Sequence, residues 1–542
     1  MKRIIFLIIA TLLVLGLVLP GCTGEGEGEN PLVQTTMTFD KGGVNNTIVV
    51  GIPGEYTHAT GGMAYLGAVV AQSQINGAGG ILIKDATNAT HAYNYTIKFV
   101  ETGEATVDPT GTLGVTAMTT NKGLVDWFAG GFRTEAVDKY RDVVMKNDGT
   151  GMIFYDCGAA TEALCHSVVT DYADYRFFFK GTPYNEYFLG TSVVKCVDAV
   201  AKAIRTAAGL NATCALNACI VADNLEWAMD QAPLIQSELA AINVRLAHAI
   251  IWVDPTAADA GAEMSGVLQN QVAPCHPVII IPVLSSNAGI YYDALRAVWV
   301  PNAISVGINV LSQLKTPWVA KLGNPPGANQ TVNAYEVELD TWAFGTNMTS
   351  KTYGFLATWA AYFGATHGGF VEYPLYTAAT YDVLWTMKAA IEACAVYNTT
   401  SGVATCDADT LIQWLENPAN AQLSSTGKAQ FYPKWDGTTL CSGKPALTSA
   451  QVAALYPSAT YVKCDWAMPG HTTHDLVYGP GYLTGLGCQW QWDGASWVKV
   501  GVWPMVVAGG ATDQYGNWNF AYNGTQSLVI PANVSGNATC AS

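Results

Sequence analysis

Short apolar runs alternate with longer helix-patterned stretches along most of the chain, and this alternation is its main structural signal. Thr47 to Gly51 is a β-branched run closed by glycine and proline, and a helix pattern follows from Met63 to Asn76. Tyr95 to Val100 predicts a strand, Thr110 to Asn121 a helix, Val125 to Ala129 a strand and Glu135 to Lys146 a helix. Met152 to Tyr155 closes this first series. The pattern resumes with Ala218 to Ala222, a helix to about Ile242, Arg245 to Val253, a helix around Ala260 to Gln271, and Val278 to Val283. Apolar strands interleaved with helices predict parallel sheets in doubly wound α/β domains. From about Lys315 to Ser350 the pattern weakens around Pro317, Pro325 and Pro326, which predicts a surface connection. Helices return at Lys351 to Gly364 and Thr380 to Tyr397. Short β-like runs at Ala429 to Tyr432 and Gln489 to Trp492 lie in a Trp-, Tyr- and Gly-rich final stretch. No internal repeat is visible.

The amino terminus changes the picture. Lys2 and Arg3 precede the apolar run Ile4 to Val18, which has the length of a secretory h-region and falls short of the roughly 20 residues of a membrane span. Leu19-Pro20-Gly21-Cys22 follows and resembles a lipobox, in which the cysteine is lipidated after cleavage; Pro20 departs from the usual small residue. An ordinary signal peptide or an uncleaved anchor would also export the chain. Residues 23–44 read as a flexible tether, with Gly and Glu alternating at its start.

Composition fits an exported globular protein. Half of the residues are apolar and 13% are charged, with a net charge of −16, which argues against nucleic acid or an anionic membrane surface as partner. Asn-x-Ser/Thr sequons stand at Asn45, Asn88, Asn94, Asn211, Asn329, Asn347, Asn398, Asn523, Asn533 and Asn537. They suggest surface glycosylation and, with the lipobox, an archaeal source. There are thirteen cysteines, and Cys22 set aside leaves an even set of twelve, which outside the cytosol predicts disulfides. Short loops favour Cys157 with Cys165, Cys394 with Cys406, and Cys441 with Cys464. A metal site at Cys275-His276, Cys165-His166 or His471-x-x-His474 lacks a second ligand cluster at zinc spacing, so no metal is expected.

Gly61-Gly62-Met63-Ala64-Tyr65-Leu66-Gly67-Ala68, running on to Ile75-Asn76-Gly77-Ala78-Gly79-Gly80-Ile81, resembles the first helix of type I periplasmic binding proteins. Leucine/isoleucine/valine-binding proteins of ABC importers are the nearest kind. The likeness continues in order through Asp108-Pro109, Gly130-Gly131-Phe132-Arg133-Thr134, Cys157-Gly158-Ala159-Ala160-Thr161 and Asp223-Asn224-Leu225-Glu226-Trp227. Thr426-Gly427-Lys428-Ala429-Gln430-Phe431 and Gln489-Trp490-Gln491-Trp492-Asp493-Gly494 complete it, so that it covers about residues 45 to 505. The resemblance implies two Rossmann-like lobes joined by three crossovers, a Venus flytrap. The division it implies is a leader over 1–22 and the tether to 44, then lobe 1 over 45–178 and lobe 2 over 179–314. A connection with the second part of lobe 1 follows over 315–420, the second part of lobe 2 with the hinge over 421–505, and a carboxyl-terminal extension over 506–542.

A ligand would then sit between the lobes at the carboxyl ends of parallel strands, near helix amino termini suited to a carboxylate. By resemblance Thr134 offers its hydroxyl, and Ala159 and Ala160, or Thr161 on a one-residue slip, offer backbone amides. Trp227 stands where the family has a tyrosine that packs on the ligand, and Thr60 and Arg133 are further candidates. Thr134 also reads as a helix N-cap, Gly130 and Gly131 as a turn, and Trp227 as core. In amino-acid binders of the family a lobe 2 carboxylate holds the ammonium group. Here the matching segment, Ser305 to Val310, puts the neutral Asn309 in that place.

No nucleophile elbow, phosphate loop or dinucleotide fingerprint occurs, and His58 is a lone histidine, so no catalysis and no cofactor are expected. The trio Trp490, Trp492 and Trp497 is spaced for a sheet face. The sequence thus implies a monomeric, lipid-anchored, extracytoplasmic solute-binding protein that hands a small polar ligand (amino-acid-like, amide or carboxylate) to an ABC permease. A surface structural or interaction protein, or a sensory one, that reuses the fold is the alternative.

Overall fold

The run Thr47–Gly54 is buried at every position, as a strand inside a parallel sheet covered on both faces must be. The computed structural model describes residues 35–39, 46–54, 56, 59–103, 111–145, 152–182, 184–297, 302–322, 335–340, 346–347, 349–363, 375–434, 472–478, 486–495, 497–503, 521–522 and 527–541. Within them Thr47–Gly54 (β2) is a central strand of a nine-stranded sheet. Numbering strands along the chain, β4 (Ala92–Gly103) and β5 (Trp127–Gly130) flank β2 in parallel. Parallel β6 (Phe154–Asp156) and β7 (Phe178–Lys180) extend that side. On the other side β3 (Ile81–Asp85) is antiparallel to β4, and then come β14 (Val396–Asn398), β15 (Val403–Asp407) and β1 (Thr36–Phe39).

Helices cover both faces of this first lobe. α1 (Ala59–Gly77) packs on α7 (Leu375–Cys394). A Cβ at Gly67 would lie 2.2 Å from the Thr377 carbonyl oxygen, so glycine is what lets the two helices approach. Between them in the chain come α2 (Thr134–Arg141), α3 (Glu186–Ala208), α4 (Glu226–Leu239), α5 (Ala288–Ala297) and α6 (Ser350–Phe363).

The second sheet belongs to lobe 2. Strands β8 (Leu216–Asp223), β11 (Ile279–Leu284), β12 (Ile304–Asn309) and β13 (Val337–Asp340) run parallel, with β9 (Val244–Leu246) and β10 (Ile251–Val253) along the outer edge of β8. The antiparallel hairpin β16 (Leu486–Trp492) and β17 (Trp497–Trp503) closes the far side. Trp490 and Trp497 are buried there against Trp318, with Trp490 stacked on Trp318 at 4.6 Å between ring centres. Such pairs are worth about 0.5–1.5 kcal/mol beyond their area.

Among the described residues the chain passes between the lobes from β7 to α3, from β13 to α6, and between Leu476 in the lobe 1 core and Tyr478 in the lobe 2 core. The passages are tied together. Tyr184 Oη donates to the Asp340 carbonyl at 3.1 Å, and Asn185 Nδ2 donates to Asp475 Oδ2 at 2.7 Å. His474 is fully buried at this hinge, its Nδ1 2.8 Å from Phe178 O and its Nε2 2.7 Å from Glu416 Oε1. Both ring nitrogens of this residue, half of a metal pair read from sequence, are therefore spent on the fold, and His471 lies outside the described residues.

Several sequence-based expectations are corrected. Thr36–Phe39 falls in the stretch read as tether, yet pairs with β15 across its whole length. The segment 245–253, read as one strand, is two short strands broken at 247–250, the first ending its parallel ladder on β8 with the bond from Ala247 N to Ala218 O. The stretch 315–350, read as surface connection, contains β13, buried at all its positions in the second sheet. Lys428–Ala429 belongs to a small hairpin, and Phe431 next to it enters the lobe 1 core, although 421–505 was assigned to lobe 2 and the hinge.

The cysteine pairing also differs. Cys157 and Cys165 are separate buried thiols; Cys157 Sγ packs toward Gly181 and bonds Thr380 while Cys165 sits on the helix Ala163–Thr170. Cys394 and Cys406 do lie side by side, as the short loop predicts, and stand there as two thiols. The pair Cys441 and Cys464 lies outside the described residues. The described disulfide joins Cys214 to Cys540, 326 residues apart, with Cα atoms 5.1 Å apart. The final segment folds back onto lobe 2, and Ala541 N donates to Ala215 O beside the bridge. Chain separation therefore misleads where a terminus returns to the body.

Candidate ligand site

The loops after β5 and β6 meet the loops after β8, β11 and β12, and a cavity of about 70 Å³ lies between them. From lobe 1 come Phe132, Arg133, Thr134, Gly158 and Ala160; from lobe 2 come Trp227, Ser285, Ile308, Val310 and Gln313. The first passage between lobes adds Thr182 and Tyr184, and Leu189 of α3 closes one wall.

Local sequence explains the lobe 1 wall. Gly131 adopts φ +91°, and a Cβ there would lie 2.5 Å from Tyr140 Oη, so the turn from β5 into α2 requires glycine. The turn sets Arg133 at the N-cap position and Thr134 at the first helical position. Arg133 makes no side-chain capping bond, and the Thr134 hydroxyl, which sequence also allowed as a cap, is buried without a hydrogen-bond partner. The next loop is fixed by Asp156, whose Oδ1 accepts from Gly158 N at 3.1 Å and Ala159 N at 3.0 Å. Burial raises the Asp156 carboxyl to about 7, against the pull of Lys180. Lys180 Nζ in turn donates to the carbonyls of Ala160 and Thr161 at 2.7 and 2.8 Å.

Lobe 2 is organised around another buried carboxylate. Asp223, at the end of β8, accepts from Ser285 N at 2.7 Å, Ser286 N at 2.9 Å and Asn287 Nδ2 at 2.9 Å. Burial raises its pKa, while these bonds and Arg133 lower it. The arrangement holds the serines toward lobe 1. Arg133 reaches across the cleft, with Nη1 3.3 Å from Ser285 Oγ and Nη2 2.5 Å from Ser286 Oγ. At the rim Glu226 N donates to Glu135 Oε1 at 2.8 Å, a second bond between lobes. Burial, with Glu135 opposite, raises the Glu226 carboxyl.

The structure brings Arg133, Thr134, Ala160 and Trp227 together at this cavity. It does not bring the others. The Ala159 amide is spent on Asp156, and Thr161 Oγ1 accepts from Ala163 N. Asn309 alternates to the opposite side of β12 from its neighbours Ile308 and Val310, as a period-two strand dictates. Its own N–H donates to Glu338 Oε2 at 2.8 Å inside lobe 2. Gln313, a few residues on, is the amide that lines the cavity. The side chain of Thr60 and all of His58 and Asp108 lie outside the described residues, as do Cys22, Asn45, Asn329 and Asn523. Sequence reasoning missed Tyr184, Ser285 and Gln313; only the apolar-to-polar switch after each strand, as in Val283-Leu284-Ser285-Ser286, hints at such positions.

Among the described residues no group of three or more His, Cys, Asp or Glu side chains could hold a metal ion, and no helix is long and apolar enough to cross a membrane. No family model and no curated protein sequence matches the chain. Solved structures do. A solute-binding protein of an ABC transporter from Rhodopseudomonas palustris HaA2, in complex with p-hydroxybenzoic acid, aligns at 14% identity over 84% of this chain and 95% of that one, with TM-score 0.54. An ABC transporter substrate-binding protein from Sphaerobacter thermophilus aligns at 12% identity over 88% and 100%, with TM-score 0.54. Another, from Desulfitobacterium hafniense in complex with Leu, aligns at 11% identity over 84% and 100%, with TM-score 0.51. The chain has the two-lobed fold of the type I periplasmic solute-binding proteins of ABC transporters.

Proposed function

We propose that this chain is an extracytoplasmic solute-binding protein, anchored through a lipid on Cys22, that delivers a small polar solute to an ABC permease. The observation that carries the reading is the cavity between the lobes. Thr134 Oγ1, Trp227 Nε1 and Gln313 Oε1 are all buried there without protein partners. A buried polar atom left unpaired costs about 1–3 kcal/mol, and a bound solute removes that cost.

Hinge closure supplies the mechanism. A solute touching both lobes favours the closed form and shifts the population toward it. The cavity of about 70 Å³ is smaller than the ~150 Å³ that admits benzene, so solute enters and leaves with the lobes parted. Arg133 and Glu135 form the contacts between lobes that opening must break.

Mass spectrometry of small molecules released from natively purified protein is the direct test, with small-angle scattering to follow closure. A stoichiometric released solute, and compaction when it is added back, are expected. A protein that carries no solute and keeps one radius of gyration under every candidate would overturn the reading. Anchoring is tested separately: Cys22→Ser should leave the detergent phase, and a mature amino terminus other than Cys22 would refute it.

A further inference from the structure

Among the described residues the cavity lining carries one formal charge, and it is positive. Arg133 is 7% exposed and spans the cleft. Among the described residues no Asp or Glu lines the cavity. The nearest lobe 2 carboxylate, Asp223, already takes the backbone amides of Ser285 and Ser286 and the side chain of Asn287. Glu338, beneath Asn309, is occupied by Asn309 N and Ser312 Oγ. The Glu135–Glu226 contact lies at the rim, outside the lining.

The uncommitted polar atoms favour an acceptor-bearing guest. An indole N–H can only donate, and a threonine hydroxyl can donate. Trp227 Nε1 and Thr134 Oγ1 are both buried and unpartnered at the cavity. Against them, among the described lining side chains, stands one buried unpartnered acceptor, the side-chain oxygen of Gln313. Arg133 bonds the hydroxyls of Ser285 and Ser286, which can give way to a carboxylate, and its charge also reaches the buried Asp223 beneath them. The rest of the wall is apolar or aromatic, with Phe132, Tyr184, Leu189, Ile308 and Val310.

From this we infer that the solute is a small organic carboxylate with an apolar body and no ammonium group, held by Arg133, Thr134 and Trp227. The inference rests on the solute-binding reading and narrows it. An α-amino acid would bury an ammonium that needs an anionic acceptor, and the described lining supplies none. The carboxylate accepts from the Arg133 guanidinium and the Thr134 hydroxyl, and the apolar body packs against Trp227 and the aliphatic wall.

Three probes with one shared body decide the charge class by calorimetry: 4-methylpentanoate, L-leucine and 3-methylbutylamine carry the carboxylate, both groups and the amine respectively. Benzoate extends the test to an aromatic body, and the charge class of any solute released from native protein is read alongside. A carboxylate probe binding at least tenfold tighter than leucine, or a released solute that is an amine-free acid, is the expected result. Arg133→Gln should weaken that binding at least thirtyfold and Arg133→Lys should recover part of it. Thr134→Val, which keeps the shape, should weaken it about tenfold if the Arg133 variants fold poorly. Leucine or the amine binding as well as the acid, or a released solute bearing an amine, would overturn the charge class and leave the solute-binding reading standing. No bound solute and no probe binding would overturn both.

Discussion

Two buried polar regions of this molecule lie about one strand apart and behave in opposite ways. In lobe 2 the strand β13 carries Glu338 and Asp340, and Glu336 stands just before it, all fully buried. Each has a partner within the protein on one oxygen, while Oε1 of Glu336 and of Glu338 is buried without one. Glu336 Oε2 accepts from Tyr292 Oη at 2.5 Å and Trp318 Nε1 at 3.2 Å. Glu338 Oε2 accepts from Asn309 N and Ser312 Oγ, both at 2.8 Å. Asp340 Oδ2 meets Lys499 Nζ at 2.6 Å. The cleft beside it leaves Thr134 Oγ1, Trp227 Nε1 and Gln313 Oε1 with nothing. Charge density alone would have chosen the acid-rich strand as the functional centre. Partner counting chooses the cleft. The contrast is one of groups and not of single atoms: each acid keeps one oxygen bonded from within, whereas the Thr134 hydroxyl and the Trp227 indole N–H have no protein partner at all and line a cavity that a ligand can enter.

The sharpest way to break this comparison is to unpair the acid-rich strand. Lys499→Met leaves Asp340 buried opposite an apolar side chain, although Lys499 also donates to Gln313 O at 3.0 Å. Removing one partner of a buried pair costs about 3–5 kcal/mol, and urea unfolding should show a loss of that size. Lys499→Met with Asp340→Leu should recover much of it. A loss below 1 kcal/mol in the single variant would mean that water reaches the pair.

Cleft variants should do the reverse. Trp227→Ala should weaken solute binding by about 2–4 kcal/mol, the range of buried aromatic anchors. Thr134→Val should weaken it by about 1–3 kcal/mol through one lost hydroxyl. Thr134→Val is expected to leave the unfolding midpoint of solute-free protein nearly unchanged, since its hydroxyl bonds nothing in the protein, whereas Trp227→Ala also removes an indole packed on the lobe 2 core and should lower it. A large drop in stability with unchanged affinity, read by calorimetry and urea unfolding together, would return both residues to the core.

The sequence makes the order of elements legible wherever an apolar run is long or a glycine turn marks its end, as at Thr47–Gly54 and at Gly130-Gly131. It also brings Thr134, Arg133 and Trp227 to one place. It fails at β13, where charged residues alternate with Val337 and Leu339 and read as surface, because the tyrosine, tryptophan and lysine that satisfy them come from distant segments. It fails at Asn309 by one position. On a strand, one position is the difference between the cleft and the core.

Asn309 consequently tests the border between the two regions. Asn309→Asp puts a carboxylate beside Glu338, on the side of β12 that faces away from the cavity. The expected result is a stability loss of about 1–2 kcal/mol near pH 7, with solute affinity changed less than threefold. An affinity change of tenfold or more would show that this side chain turns into the cleft when solute binds.

The smallest expected effect is a slope. Burial raises the Glu336 carboxyl to about 8 and lifts that of Glu338 well above its ordinary value. In the unfolded chain a glutamate titrates near 4.3. Between those values the native protein keeps a proton that the unfolded chain has released, so stability is fully present below pH 4 and declines as pH rises toward 8. One such group contributes at most about 1.4 kcal/mol per pH unit. Asp156, pushed up to about 7, and Asp382, pushed up to about 6, act in the same direction over the lower part of the window. Glu336→Gln retains an acceptor for Tyr292 and Trp318 and has no proton to lose. Urea midpoints measured at pH 5, 6, 7 and 8 should therefore fall less steeply in the variant than in the parent protein, with the two curves diverging most between pH 5 and 7. Parallel curves would mean that Glu336 is ionised in the folded protein, and the acid-rich strand would then need a cation beyond Lys499 to hold it.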